Sequence, residues 1–179
     1  MPDTENEVAR RALKIAQELV RVGGGEKAAA RRMAKEGAPV FWRMVSRLGI
    51  ERNEEEKWRR ITKALALLTP SGATESVHEN GRKFGTVLAD GGDAHSRLDK
   101  PFCSEQRLAR LLAARGAARL DAMERVVRRM ARGYQRIDVP SLAWAYLNED
   151  ARMIVRAYYR RLDRHHEHHE SRQEKQSNV

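Results

Sequence analysis

The segment from Leu120 to Arg132 constrains this chain more than any other. At about 100° per residue, Leu120, Met123, Val127 and Met130 fall on one side of a helix, and Arg125, Arg128, Arg129 and Arg132 on the opposite side. Such an apolar stripe has to be buried against other helices. The charged side is less ordinary. Solubility alone is served by alternating Glu and Lys, because (i, i+4) pairs of opposite charge stabilise a helix. Between Arg125 and Arg132 this outer side carries no acid. Like charges at helical spacing repel one another, so the pattern points to a polyanionic partner, and nucleic-acid phosphate is the commonest.

The composition carries the same bias. Of 35 basic side chains 27 are Arg and 8 are Lys, against 25 acids, for a net charge of +10. Between Pro101 and Arg164 there are 14 Arg, no Lys and 7 acids. A GC-rich genome would explain Arg over Lys. It would not explain the placement on one face or the excess over acid. Arg offers a planar fork that grips phosphate at two points, which Lys does not. A basic surface is the expectation.

The length, 179 residues, suits one domain or two small helical subdomains. Cys103 is the single cysteine, so no intrachain disulfide forms, which fits a reducing cytosol. No apolar run approaches a membrane span, and the acidic start Met1-Pro2-Asp3-Thr4-Glu5 lacks the plan of a signal peptide. These features read as a cytoplasmic protein without a membrane partner.

Helical periodicity runs through almost the whole chain, and the fold class reads as all-α, with eight to nine helices in two small bundles. Thr4 and Glu7 form a capping box ahead of Val8, Ala12, Ile15, Leu19 and Val20. Gly23-Gly24-Gly25 ends that helix, and a short one follows from Glu26 to Glu36, stopped by Gly37. Pro39 opens a helix from Val40 to Leu48, and Glu54-Glu55-Glu56 places acid at the positive end of another, with Trp58, Ile61, Leu65 and Leu68 inward. Residues 70–80 read as loop, Phe84 to Ala89 as a short helix and residues 90–102 as a loop or junction. Ser104 is an N-cap for Glu105 to Arg115, and Gly133 stops the arginine helix. Asp138 caps a helix beginning with Pro140, and the last helix starts near Asn148. Ile154, Tyr158 and Leu162 face inward there, while Arg152, Arg156, Arg160 and Arg164 recur every four residues outside. The domain expectation is an N-terminal bundle over 1–90, a C-terminal bundle over 91–164 and a disordered His-, Glu- and Gln-rich tail over 165–179.

Little here suggests catalysis or a cofactor. Gly23-Gly24-Gly25 lacks the strand before it and the GK[ST] after it that a phosphate loop needs. Cys103, just before a helix start, could be stabilised as a thiolate, but a packed thiol is the commoner outcome. His165 and His169 lie one turn apart and could share a divalent ion, yet the flanks offer no packed support, so a solvated tail is favoured and no metal is assigned. The tryptophans fall in or beside apolar stripes and read as core, so base reading is disfavoured against backbone binding. Two rival readings follow. A free-standing DNA- or RNA-binding protein such as a repressor needs Asn and Gln beside the arginines, and neither arginine helix has them. A metal-dependent hydrolase needs buried ligands.

Read in order, several segments resemble a known family. They are Pro39-Val40-Phe41-Trp42-Arg43-Met44-Val45, the helix with Trp58 and Ile61, and Gly85-Thr86-Val87-Leu88-Ala89. Ser104-Glu105-Gln106-Arg107-Leu108-Ala109-Arg110-Leu111-Leu112, Asp138-Val139-Pro140-Ser141-Leu142 and Tyr158-Tyr159-Arg160-Arg161-Leu162 follow. Over residues 36–163 this resembles the CasB family, the small subunit of the type I-E CRISPR Cascade complex. The resemblance implies an all-α, non-enzymatic protein of two bundles that pairs with a second copy of itself. It implies partners in the other Cascade subunits and in CRISPR RNA and target DNA, including help in holding the displaced strand of the R-loop. The family's nucleic-acid surface maps onto Arg31, Arg32, Arg43, Arg107, Arg110 and Arg128 or Arg129. Arg125 and Arg132 share the arginine face, and Arg152, Arg156 and Arg160 are added from periodicity alone.

Overall fold

The computed structural model describes residues 2–93, 98, 100–133 and 136–163. The fold is all-α. Its helices are α1 (Pro2–Arg21), α2 (Gly24–Arg32), α3 (Pro39–Leu48), α4 (Glu55–Leu68), α5 (Phe84–Asp90), α6 (Glu105–Ala113), α7 (Gly116–Met130) and α8 (Val139–Leu147). A 3-10 turn, Ala131–Gly133, extends α7, and residues 152–163 form a last helix, α9. Among the described residues the sole β feature is an isolated parallel bridge between His78 and Ile137. No helix among them is long and apolar enough to cross a membrane.

The central element is α4. It packs against α1, α2, α3, α7 and α8, which is why Trp58, Ile61, Thr62, Ala64, Leu65, Ala66 and Leu68 are all buried on a single helix. The apolar stripe of α1 (Val8, Ala12, Ile15, Leu19) is buried, and α1 lies along α8. Leu120, Met123, Val127 and Met130 are buried as their spacing requires, on a helix that packs against α4. Helices from both sides of residue 90 therefore contribute to one hydrophobic cluster.

Several boundaries differ from the sequence expectation. Gly24 and Gly25 do not end a helix but open α2, with Gly23 at the N-cap. Helix α1 begins at Pro2, so Thr4 lies inside it rather than at its N-cap, and the Glu7 carboxylate accepts from Arg10 and Arg11. Ser104 holds the N-cap position of α6 without a side-chain capping bond. Asp138 does cap α8, accepting from Ser141 N at 3.0 Å. The last helix starts at 152 rather than near Asn148, whose side-chain amide turns back to Trp144 O.

Close backbone approach fixes α9. A Cβ on Gly85 would collide with the carbonyl oxygen of Ile154, so only glycine lets α5 meet α9 there. Tyr158 Oη then donates to Cys103 O at 2.7 Å, and Arg161 Nε to the buried Asp90 Oδ2 at 2.8 Å. Asp90 also takes both terminal nitrogens of Arg82 and the amide of Gly92. A buried carboxylate held by this many donors is fixed in place, and it ties α5 to α9.

Candidate nucleic-acid interface

The arginines marked by the sequence divide into two groups. Five are engaged by the protein itself. Arg31 caps the C-terminus of α4: Nε donates to Ala66 O at 2.9 Å, Nη2 to Thr69 O at 2.5 Å and Nη1 to Ser71 Oγ at 3.1 Å. These are carbonyls that a helix end otherwise leaves without donors. Arg43 forms a two-point pair with Glu26 at 3.0 and 2.5 Å, which raises the Arg43 pKa and lowers that of Glu26. Arg128 reaches back four residues to Glu124. Arg129 stacks over the Phe102 ring, 4.4 Å from its centroid. Arg152 pairs with Asp150, whose carboxyl its hydrogen bonds hold at a pKa of about 2.

The second group comprises Arg32, Arg107, Arg110, Arg125, Arg132, Arg156 and Arg160. All are exposed, and none makes a hydrogen bond or ion pair through its side chain among the described residues. Arg107 and Arg110 lie one turn apart on α6, both exposed, on a helix that buries Leu108 and Leu111. Arg125 and Arg132 lie on the outer side of α7 and its 3-10 extension, and Arg156 and Arg160 on that of α9, where Ile154 and Tyr158 turn inward.

These helices meet at one short segment. Phe102 N and Cys103 N donate to Ala89 O and Leu88 O at the end of α5, at 2.9 and 2.8 Å. Cys103 O receives Tyr158 from α9, and Phe102 carries Arg129 from α7. The charges of Arg107 and Arg129 both act on the Cys103 thiol, so α6 and α7 bring cations to the same place. Burial nonetheless pushes that thiol up and outweighs the two arginines, which leaves a packed thiol in place of a thiolate.

Two features were not legible in advance. Glu124, on α7 itself, is the acid that gathers cations: Arg60 and Lys63 from α4, and Arg128 from its own helix. Partial burial alone would raise its pKa, but the hydrogen bonds from Lys63 and Arg128 win and bring it to about 2. Beside it lies an open cleft of about 410 Å³ between α4 and α7, lined in part by Lys35, Arg59, Arg60, Lys63, Arg125 and Arg128. A run of Arg59-Arg60 and then Lys63 on α4 was the signal for it. It was masked because α4 reads first as the helix of Trp58 and Leu65. Trp42 is a correction: it is 45% exposed rather than core, and donates its indole N–H to Glu36 O over Gly37. Trp58 is fully buried and Trp144 half-buried.

Among the described residues no group of three His, Cys, Asp or Glu side chains could hold a metal ion. His165, His169 and Arg164 lie outside the described residues. His78 is a structural residue: its Nδ1 accepts the amide of Val139 at the start of α8.

No curated protein and no solved structure matches the chain. One family model does, that of the CRISPR-associated protein Cse2, over residues 26–172. That match takes in all of the helices from α3 to α9, both groups of arginines described above, and the segment at Phe102 where they converge. The chain therefore belongs to the Cse2 family, also called CasB, the small subunit of the type I-E CRISPR Cascade complex.

Proposed function

We propose that this subunit binds the CRISPR RNA–target DNA hybrid and the displaced strand, without catalysing a reaction, and so stabilises the R-loop. It acts beside a second copy of itself within Cascade in the cytoplasm. One observation carries the reading. Arg107 and Arg110 on α6, Arg125 on α7 with Arg132 just beyond it, and Arg156 and Arg160 on α9 are exposed and have no ion-pair partner among the described residues, and α7 and α9 carry no Asn or Gln that could read a base. In an R-loop the guide reads sequence by pairing, so a supporting protein needs only phosphate contacts. Rigid helices presenting guanidinium forks meet that need. Of the twelve arginines expected at the surface, Arg107, Arg110, Arg125, Arg132, Arg156 and Arg160 are the strongest contributors, with Arg32 beside them. Arg31 and Arg43 serve the fold first.

The test is R-loop formation by reconstituted Cascade on two unrelated matched targets at several salt concentrations. Arg107→Gln with Arg110→Gln disturbs no side-chain hydrogen bond or ion pair among the described residues, so the complex should still assemble. R-loops should weaken equally on both targets, and the magnitude of the salt slope should fall by about 0.7–0.9 for each phosphate no longer neutralised. Wild-type behaviour would remove α6 from the interface. A defect on one target alone would replace phosphate binding with base reading.

A further inference from the structure

The cleft between α4 and α7 has more positive charge than its carboxylates can balance. Six cations line it against Glu56, Asp121 and Glu124. Glu124 alone holds three of the six. Its Oε1 accepts from Arg128 Nη2 at 2.8 Å and Nε at 3.1 Å and faces Lys63 Nζ at 3.0 Å, while Oε2 accepts from Arg60 Nη1 at 2.8 Å. Asp121 takes the other terminal nitrogen of Arg60, whose Nε is buried and meets no partner. Lys35 and Arg125 line the cleft without any ion pair among the described residues. A concave wall with an excess of positive charge focuses its field on whatever anion enters. The volume falls in the ordinary range for ligand clefts, about 300–1,000 Å³.

One of the cations held by Glu124 is free to move. Arg60 and Lys63 are largely enclosed, but the Arg128 side chain is 50% exposed and has Glu124 as its partner, four residues back on the same helix. A pair of that kind is weak and readily exchanged. We propose that this cleft seats one backbone phosphate of bound nucleic acid, held by Lys35, Arg125 and Arg128, and that Glu124 sets its strength by competing with the phosphate for Arg128. The proposal rests on the nucleic-acid reading above and adds a site to it, with an acid that tempers its affinity.

The experiment is a salt titration of the full-length chain against a mixed-sequence single-stranded oligonucleotide, with three variants. Lys35→Gln with Arg125→Gln removes two exposed side chains that make no hydrogen bond or ion pair among the described residues. It should weaken binding about two- to fivefold and lower the magnitude of the slope by about 0.7. Glu124→Gln should tighten binding by a similar factor, since Arg128 is released. Glu51→Gln changes the net charge identically on an exposed side chain with no ion pair among the described residues, and should have little effect. If Lys35→Gln with Arg125→Gln binds as the wild type does, or Glu124→Gln is no tighter than Glu51→Gln, the cleft is not a phosphate seat. Should Glu124→Gln fail to fold, the first variant decides alone. The two readings fail differently. Loss of binding in Arg107→Gln with Arg110→Gln but not in Lys35→Gln with Arg125→Gln overturns the cleft and spares the general reading. A wild-type chain that ignores the oligonucleotide at about 50 mM salt overturns both.

Discussion

Two neighbouring arginines show how far a single residue's role depends on what surrounds it. Arg31 and Arg32 are indistinguishable in the sequence, both late on a short basic helix. In the structure Arg31 turns inward and satisfies the C-terminal carbonyls of α4, while Arg32 is exposed and makes no side-chain hydrogen bond or ion pair among the described residues. Arg31→Ala should therefore cost about 1–3 kcal/mol, since charged hydrogen bonds to a helix end disappear and carbonyls are stranded. Arg32→Ala should stay within about 0.5 kcal/mol of the wild type. Urea titrations of the two variants decide the matter, and equal stability would mean that the Arg31 cap is not formed in solution. Periodicity places a residue on a helix but not its side-chain tip, and a long guanidinium arm reaches across to whichever element lies beside it. The same limit hid Trp42, which the apolar pattern of α3 assigned inward although its ring lies out over Gly37.

At the scale of elements, the spacing of apolar residues and the Pro, Gly and acidic signals at their ends marked α3, α4 and α5 nearly to the residue, and for α7 its buried stripe, though α7 starts at Gly116, ahead of Leu120. They did not give the way α9 is attached. That attachment depends on Gly85, whose missing Cβ lets the backbone of Ile154 approach, and no periodic pattern encodes an absence. Gly85→Ala should push α9 off α5, at a cost of about 1–3 kcal/mol for overpacking. Hydrogen exchange should show residues 152–163 losing protection before the rest of the chain. Uniform protection would mean that α5 and α9 yield together at no local cost. The junction of α4 with α7 responds to pH. Glu124 has its folded pKa lowered to about 2, below the ordinary carboxylate value. A group depressed in the folded state contributes stability above its unfolded pKa and loses it as pH falls through the folded one. Between about pH 4.5 and 2, then, Glu124→Gln should lose less stability than the wild type. Parallel acid titrations of the two chains would contradict the three-cation arrangement around this carboxylate.

For the whole molecule, the class was the easiest property to read and the division into units the hardest. Charge and helical period are summed over many residues, so no one of them has to be right. A boundary at residue 90 rested on a polar, glycine-rich stretch, which marks a loop without saying whether packing continues across it. Packing does continue: α1 lies along α8, and α4 holds both α7 and α8, with their residues in one cluster. The two bundles over 1–90 and 91–164 thus stand as a proposal about folding units, and the helix packing sets its test. A fragment ending at residue 90 would leave the inner faces of α1 and α4 partly uncovered, with Ile15, Leu19, Ile61 and Leu65 short of neighbours. At roughly 1.5–3 kcal/mol for each such side chain when fully exposed, even partial stripping of several removes a large share of a domain's typical stability of about 5–15 kcal/mol. The fragment is expected to unfold without a sharp transition. The intact chain should instead lose helix and tryptophan fluorescence together, because Trp58 and Trp144 report from opposite sides of residue 90. Circular dichroism and fluorescence melts of the full chain, compared with those of the fragment, make the measurement. A cooperative melt of the fragment, or separate transitions in the intact chain, would establish two bundles that fold apart, and the arginines of α6, α7 and α9 would then sit on a unit able to move relative to α2 and α3.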